Sequence, residues 1–501
     1  MPPSERPAWL RPATAAILGL AALLLCYPLG PLLQEIGDSA EYILLAESLA
    51  KGRGFVSLHY PGAPPHTDYP PGFPALLVPI LWIFGRSYTA LKVVGIGASL
   101  GTLALLPALL RPRVGPAIAL LATATLALSP HFLLSAHSIQ PEPVFALLAL
   151  GAVTAASRAA PRPLLVAMLC AGAWYQRKVG ILLFPAIAAG WLFEGLRTRM
   201  LVPAARRTLL FVALGLSPVA LWMLREHLTG RAIDHSTHVA VIAAPAVRSA
   251  VFEWVRRHAT LYPIMLAQIV YPAGAQGFFE QPWLALLPLA GVVLGLFRAV
   301  RLGAAPLCAF VLAYAALFMV WPFATLRFWV PLAPFLFATL ALALGALPRR
   351  ALGAALMGVI ALSALPVALT FAESVRLGEE RVPVYAVDYV RLLERLGPVV
   401  PASSVVMAPE PRLLTLLTGR LGLWPGYPVD QADKAVPAMA AQRADHLVWD
   451  PTYLRYGGAP NAVDPGPAHP RCLHAVLTEG QAVLYALDPA CRARNEAKLP
   501  R

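Results

Sequence analysis

Long apolar windows recur along this chain, and they constrain its fold more than any other feature. The first runs from about Ala13 to Leu33. Others fall near residues 87–110, 116–130, 141–157, 163–176, 179–196, 208–225, 282–297, 304–322, 328–347 and 351–370. A helix needs roughly 17–25 apolar residues to cross a hydrocarbon core. The pattern therefore predicts an all-α polytopic membrane bundle with ~11 crossings. Composition agrees: only 13% of residues are charged and 58% are hydrophobic, whereas soluble domains carry about 25% charge. The first window follows "MPPSERPAWLRP", with Arg6 and Arg11. No small-x-small cleavage pattern follows it, so it reads as a signal anchor with its N-terminus in the cytoplasm.

Arginine placement sets the expected orientation. The loops "RPRVG", "SRAAPRP", "RTRMLVPAARR", "FRAVRLG" and "PRR" hold twelve arginines and no acid. They are read as cytoplasmic, which puts the N-terminus inside and the C-terminus outside. The formal charge of +14 partly records this bias. No basic stripe with interleaved aromatics accompanies it, so nucleic-acid binding is not expected. The outer segments are then a first loop at 34–86, a short turn around His131–Gln140, a corner at "YQRKVG", a loop at 226–281, a short loop at "WPFATLRFW", and the tail. Within the 226–281 loop, "AVRSAVFEWVRRHATLYPIM" is amphipathic and expected to lie on membrane lipids, with Arg256 and Arg257 toward headgroups.

The first outer loop opens with "QEIGDSAEYILLAESLAKGRGF", which crowds Glu35, Asp38, Glu41 and Glu47 outside an apolar run. Tyr42, Ile43, Leu45, Ala46, Leu49 and Ala50 repeat with helical spacing. Asp38 is placed at the N-cap, with Glu41 three residues on as a capping-box partner. Gly52 or Gly54 supplies the stop. Phe73 to Phe84 is apolar but too short to span, so it reads as a surface or re-entrant helix delivered by Pro70 and Pro71.

Beyond about residue 370 no window could span a membrane. Domains are therefore expected at 1–370 and 371–501, the second a small α/β unit. "SSVVMAPE", "DHLVWDP" and "AVLYALDP" read as short buried strands. "EPRLLTLLTGR" reads as a helix closed by Gly419, and "LHAVLTEGQAVLYALD" as a hairpin turning at Glu479-Gly480. Cys472 and Cys491 flank that hairpin. A disulfide between them suits an oxidising compartment; two separate thiols are the other reading.

"GDSAEYILLAESLAKGRGF", then "YPPGFPALL" and an "FG" before the next window, resemble the first external loop of polyprenyl-phosphate-sugar glycosyltransferases of the GT-C superfamily. These include protein mannosyltransferases, lipid A aminoarabinose transferases and Rgt-type sugar transferases. The resemblance extends to "SIQPEPVFALLAL", "WYQRKVGILLFP" and "RFWVPLAPFLF", and covers roughly residues 10–370 in pattern. It implies an inner-membrane enzyme whose active site and C-terminal domain are extracytoplasmic. Such an enzyme moves a sugar from a polyprenyl-phosphate donor to a glycolipid or cell-envelope glycan, before a protein, with inversion.

A sugar on a lipid phosphate is already activated, so no nucleotide-binding glycine loop is needed. The acceptor hydroxyl needs a base, and the leaving phosphate needs cations. The resemblance places Asp38 at the family's catalytic carboxylate. It matches Glu142 to a recurrent family acid and Arg327 to a late-loop basic residue; Arg177, Lys178, Glu41, Asp68 and Tyr69 are further substrate-binding candidates by their positions in the outer segments. Structural readings stand beside these: helix capping for Asp38 and Glu41, a turn for Asp68, an N-terminal helix charge for Glu142, and snorkelling for Lys178 and Arg177. His59 and His66, seven residues apart in a proline-rich loop, are read as solvated. No metal or other cofactor is expected. The first loop has Asp38-Ser39 where the mannose and aminoarabinose branches carry paired acids, and the tail is short, which favours an Rgt-type or generic branch.

Two readings of other classes remain. A transporter or flippase would want charged or broken helices at mid-membrane. A non-catalytic scaffold would only present the C-terminal domain.

Overall fold

The computed structural model describes residues 9–33, 36–229, 247–270, 282–321, 325–347, 350–379, 386–456 and 459–497. In chain order the helices begin with α1 (Leu10–Cys26), α2 (Ile36–Ala50), α3 (Gly72–Phe84), α4 (Tyr88–Val114) and α5 (Pro116–Ala127). They continue with α6 (Pro130–His137), α7 (Glu142–Ala156), α8 (Pro163–Gln176), α9 (Leu183–Arg197) and α10 (Leu201–Thr229). Next come α11 (Val247–Val270), α12 (Leu286–Arg301), α13 (Ala305–Met319), α14 (Ala333–Leu344) and α15 (Arg350–Glu379). Short 3-10 turns at Lys178–Leu182, Pro282–Ala285 and Leu326–Leu332 lead into α9, α12 and α14.

Every apolar window of the sequence coincides with one or two of these helices. Among the described residues, four stretches are long and apolar enough to cross a membrane: Tyr88–Val114, Lys178–Arg197, Leu201–Thr229 and Leu326–Leu344. A fifth is the pair α5 and α6, bent by 58°. That is fewer than the ~11 crossings expected from windows of spanning length. Other apolar helices fall short of that length, among them α1, α7, α8 and α13 at 14–17 residues. Proline opens several helices, including those at Pro116, Pro130, Pro163 and Pro306, where its fixed φ suits the first turn. The turn expected around His131–Gln140 is accordingly helical as far as His137, because Pro130 restarts the helix after an extended Ser129.

The chain forms two compact units. The first comprises Met1–Gly30, Thr67–Phe73 and Thr89–Leu377. In it α7 packs on α8, α8 on α10, α9 on α13 and α12 on α14. Small residues allow the closest approaches, as in helix packing within lipid. A Cβ at Gly295 would lie 1.9 Å from the Thr339 carbonyl oxygen, and one at Gly190 would lie 2.6 Å from the Pro306 nitrogen. The second half of α11 is also core: Tyr262, Leu266, Ile269 and Val270 are buried. The stretch read as a surface helix is thus partly a bundle element. Its Arg256 pairs with Glu253 on the exposed side.

The second unit comprises Pro31–His66, Pro74–Tyr88 and Gly378–Arg501. Most of the first outer loop therefore belongs with the tail, not with the bundle that precedes it in the chain. The tail contributes α16 (Val387–Arg395), β1 (Val405–Met407), α17 (Pro411–Thr418), β2 (Leu421–Leu423) and α18 (Ala435–Ala441). It continues with β3 (His446–Trp449), α19 (Pro451–Tyr456), α20 (Pro465–Ala468), β4 (Leu473–Glu479), β5 (Ala482–Leu487) and α21 (Pro489–Glu496). The strands form one sheet of order β2-β1-β3-β5-β4. β2, β1 and β3 are parallel, whereas β5 and β4 run antiparallel. Val406 pairs with Gly422 and His446, and Leu447 with Tyr485. Met407, Met439, Leu447, Trp449 and Leu487 fill the core beneath it. Gly419 ends α17 in the left-handed region, and Gly480 turns the hairpin at φ 55°. Cys472 and Cys491 are bonded, with Cα atoms 5.6 Å apart.

Helix α2 starts at Ile36, three residues earlier than an N-cap at Asp38 requires. Asp38 is therefore in the first turn rather than at the N-cap, where a carboxylate still meets the positive end of the helix dipole. Glu41 consequently lies too far inside for a capping box. At the other end Gly52 adopts φ 68°. Arg53 N–H donates to Ser48 and Gly52 N–H to Leu49, a Schellman closure.

Candidate active site

Each unit holds charged side chains gathered in clusters. In the tail-containing unit α2 packs against α17, and this brings Asp38 to an arginine 374 residues away. Arg412 Nη1 donates to Asp38 Oδ1 at 3.0 Å. The rest of the guanidinium fork grips Glu410, with Nε to Oε1 at 2.6 Å and Nη2 to Oε2 at 3.0 Å. The same guanidinium lies 5.3 Å from the Trp424 ring centroid, a cation–π distance. Asp38 remains 26% exposed, whereas Glu410 is 5% exposed. A carboxylate in this setting is fixed by a charge-assisted hydrogen bond yet still reachable.

Glu41 points elsewhere. It is buried and pairs with His59 Nδ1 at 3.2 Å and His66 Nδ1 at 3.3 Å. The two histidines are themselves buried, contrary to their reading as solvated. A bridge between Val56 and Pro65 folds this segment back on itself, and Ser57 Oγ lies 2.8 Å from His66 Nδ1. The Gly422 N–H on β2 donates to the His59 carbonyl at 2.8 Å. Sequence spacing could not show this, because burial of the imidazoles depends on the loop closing over α2. Further along α2, Glu47 meets Lys51 at 3.2 Å and Arg86 Nε. Burial raises the Glu47 pKa, but hydrogen bonds and charge from Arg86 and Lys51 outweigh this and hold it below the usual carboxylate value. Among the described residues no group of three or more His, Cys, Asp or Glu has the arrangement of a metal site.

In the helical unit the corner after α8 is where the sequence put it. Arg177 is extended and opens the 3-10 turn before α9. Its guanidinium pairs with Glu142 Oε1 at the start of α7, and Arg327 Nε donates to the same oxygen at 2.7 Å. Glu142 is 2% exposed, and the arginines 19% and 25%. Two guanidiniums thus share one buried carboxylate, and planar forks of this kind suit an anion. Lys178 stands apart from it. Its Nζ donates to the Thr67 carbonyl at 2.9 Å and to Glu226 on α10. Asp68 and Tyr69 are half-buried in the segment that follows Thr67.

Sequence reasoning did not single out Arg412, Glu410 or Lys92. Lys92 is fully buried in α4 and donates to the Gly30 carbonyl at 3.0 Å. A charge inside an apolar window was the available signal for Lys92. For Arg412 the signal was an arginine in the first turn of a helix, where the dipole disfavours a cation.

No protein-family model matches the chain, and no curated protein does so. Solved structures do match. ArnT from Cupriavidus metallidurans, bound to undecaprenyl phosphate, aligns at TM-score 0.60 and 12% identity, over 95% of this chain and 98% of its own. The archaeal oligosaccharyltransferase AglB from Archaeoglobus fulgidus, in complex with an inhibitory peptide and a dolichol-phosphate, aligns at TM-score 0.57 and 12% identity, over 97% of this chain and 75% of its own. The likeness is one of fold: this chain folds as ArnT and AglB do.

Proposed function

We propose that this protein is an inner-membrane glycosyltransferase. It moves a sugar from a polyprenyl-phosphate donor to an extracytoplasmic acceptor, a glycolipid or cell-envelope polysaccharide before a protein. The observation that carries this reading is Asp38, an accessible carboxylate oriented by a guanidinium, in a chain whose structural neighbours hold undecaprenyl phosphate and dolichol phosphate. The acceptor O–H gives its proton to Asp38 as its oxygen bonds to the anomeric carbon from the face opposite the phosphate. The bond from that carbon to the phosphate oxygen breaks, its electron pair leaves with the polyprenyl phosphate, and configuration inverts. General-base assistance of this kind contributes typically ~10²–10⁴-fold.

Arg177 and Arg327, gathered on Glu142, and Lys178 are the proposed holders of the leaving phosphate, with Glu142 setting their position. Asp68 and Tyr69 are proposed to contact sugar or acceptor hydroxyls. Glu41 is reassigned: its two histidine partners support a structural role in closing the first loop. The proposed topology keeps ~11 crossings, N-terminus inside and tail outside, with the shorter apolar helices completing the count.

The decisive variant is Asp38→Asn. It is expected to abolish sugar transfer while folded protein is retained. The readout is mass spectrometry of envelope lipids and glycans from cells with wild-type, variant or no protein. Full product in Asp38→Asn would end the assignment, and a transporter would tolerate that change. Cysteine labelling that put residue 38 on the cytosolic face would also end it.

A further inference from the structure

Resting on the reading of Asp38 as the base, we propose that Arg412, steadied by Glu410, is a positioning residue that fixes the direction of the Asp38 carboxylate from the far end of the chain. Four observations converge on it. Arg412 spends the Nε and Nη2 directions of its fork on Glu410, which leaves Nη1 aimed at Asp38 Oδ1 at 3.0 Å. Bidentate pairing of this kind fixes the guanidinium plane. The Trp424 ring, 5.3 Å from the guanidinium, holds its other side.

Local helix stability does not account for the arginine. It sits directly after Pro411 in the first turn of α17, where the helix dipole disfavours a cation. Finally, the residue before Asp38 is glycine without a left-handed backbone. A Cβ there would meet Glu410 Oε2 at 2.9 Å and Arg412 Nη2 at 3.3 Å. Gly37 therefore serves close approach of the ion pair to the first turn of α2, not an unusual conformation.

The consequence is chemical. Glu410 offsets much of the arginine's charge, so Arg412 orients Asp38 without acting as a full counter-ion that would suppress its basicity. In the transfer step Asp38 must accept the acceptor's proton while the new bond to the anomeric carbon forms and the bond to phosphate breaks. A misplacement of about 1 Å in such a group can cost ~10²-fold. Among the described residues of this unit, Glu41, one turn further along α2, and its partners His59 and His66 are also titratable. These are untouched by changes at residue 412.

The test uses full-length protein in native membranes with their endogenous lipid-linked donors. Product is defined as the envelope mass species made by cells with the wild-type protein and absent from cells without the protein. Arg412→Gln is expected to lower the initial rate about 10–100-fold. It should also move the acid limb of the pH–rate profile to higher pH, since a carboxylate that loses a neighbouring cation protonates more readily. Arg412→Lys should restore the acid limb but not the rate, because a point charge lacks the fork. Gly37→Ala should unfold no earlier than wild type yet lose several-fold in rate. Wild-type rates in both Arg412→Gln and Gly37→Ala, with Asp38→Asn inactive, would overturn the proposal and spare the base. So would a rate loss in Arg412→Gln with an unmoved acid limb, which marks the contact as merely structural. Undiminished product in Asp38→Asn would instead remove the base on which the proposal rests.

Discussion

At the scale of single residues, the acids that look alike in the sequence do different work. Asp38 is accessible and oriented, Glu41 is buried between imidazoles, and Glu142 gathers two arginines. Glu47 gives a pH test. Arg86 and Lys51 hold its folded-state pKa below the ordinary value despite burial, so ionisation of Glu47 favours the folded state. The contribution is complete above the unfolded-state pKa of about 4.3 and is lost as pH falls through the lower, folded-state value. Thermal unfolding of wild type and Glu47→Gln, measured from pH 7 downward, should therefore differ most at neutral pH and converge in acid. A difference that persists unchanged at pH 3 would rule out the ionised pair as its cause.

At the scale of elements, the helical unit depends on contacts that only glycine permits. At Gly295 any side chain would lie within 1.9 Å of the Thr339 carbonyl oxygen on α14, a backbone atom that cannot swing aside. Gly295→Ala is expected to push α12 from α14 and cost roughly 1–3 kcal/mol or more, read as a lowered unfolding temperature in detergent. Gly97 on α4 is the contrast, since nothing lies within 4 Å of a Cβ there. Gly97→Ala should be neutral or stabilising by about 0.5–1 kcal/mol. Equal effects at the two positions would mean that helix propensity, not close packing, governs both.

For the whole molecule, the important fact is that residues 31–66 and 74–88 form one unit with the tail. A chain ending at Leu377 removes β2, which binds the His59 carbonyl, and α17, which covers α2. Hydrogen exchange across residues 36–66 should then rise to the level of an open loop. Retained protection there would show that the loop is ordered without the tail.

The sequence alone determined what depends on local composition and period. Apolar windows marked the helices, Gly52, Gly419 and Gly480 marked their turns, and alternating apolar runs marked the strands. It also pointed to Arg177 and Arg327, because cations at apolar boundaries need a reason. The tertiary structure decided the rest. The start of α2 two residues before Asp38, the histidines folded onto Glu41 and the tail arginine on Asp38 all join residues far apart in the chain. Such contacts arise from long-range packing, which leaves no period in the sequence, and so they become visible only when the chain is folded.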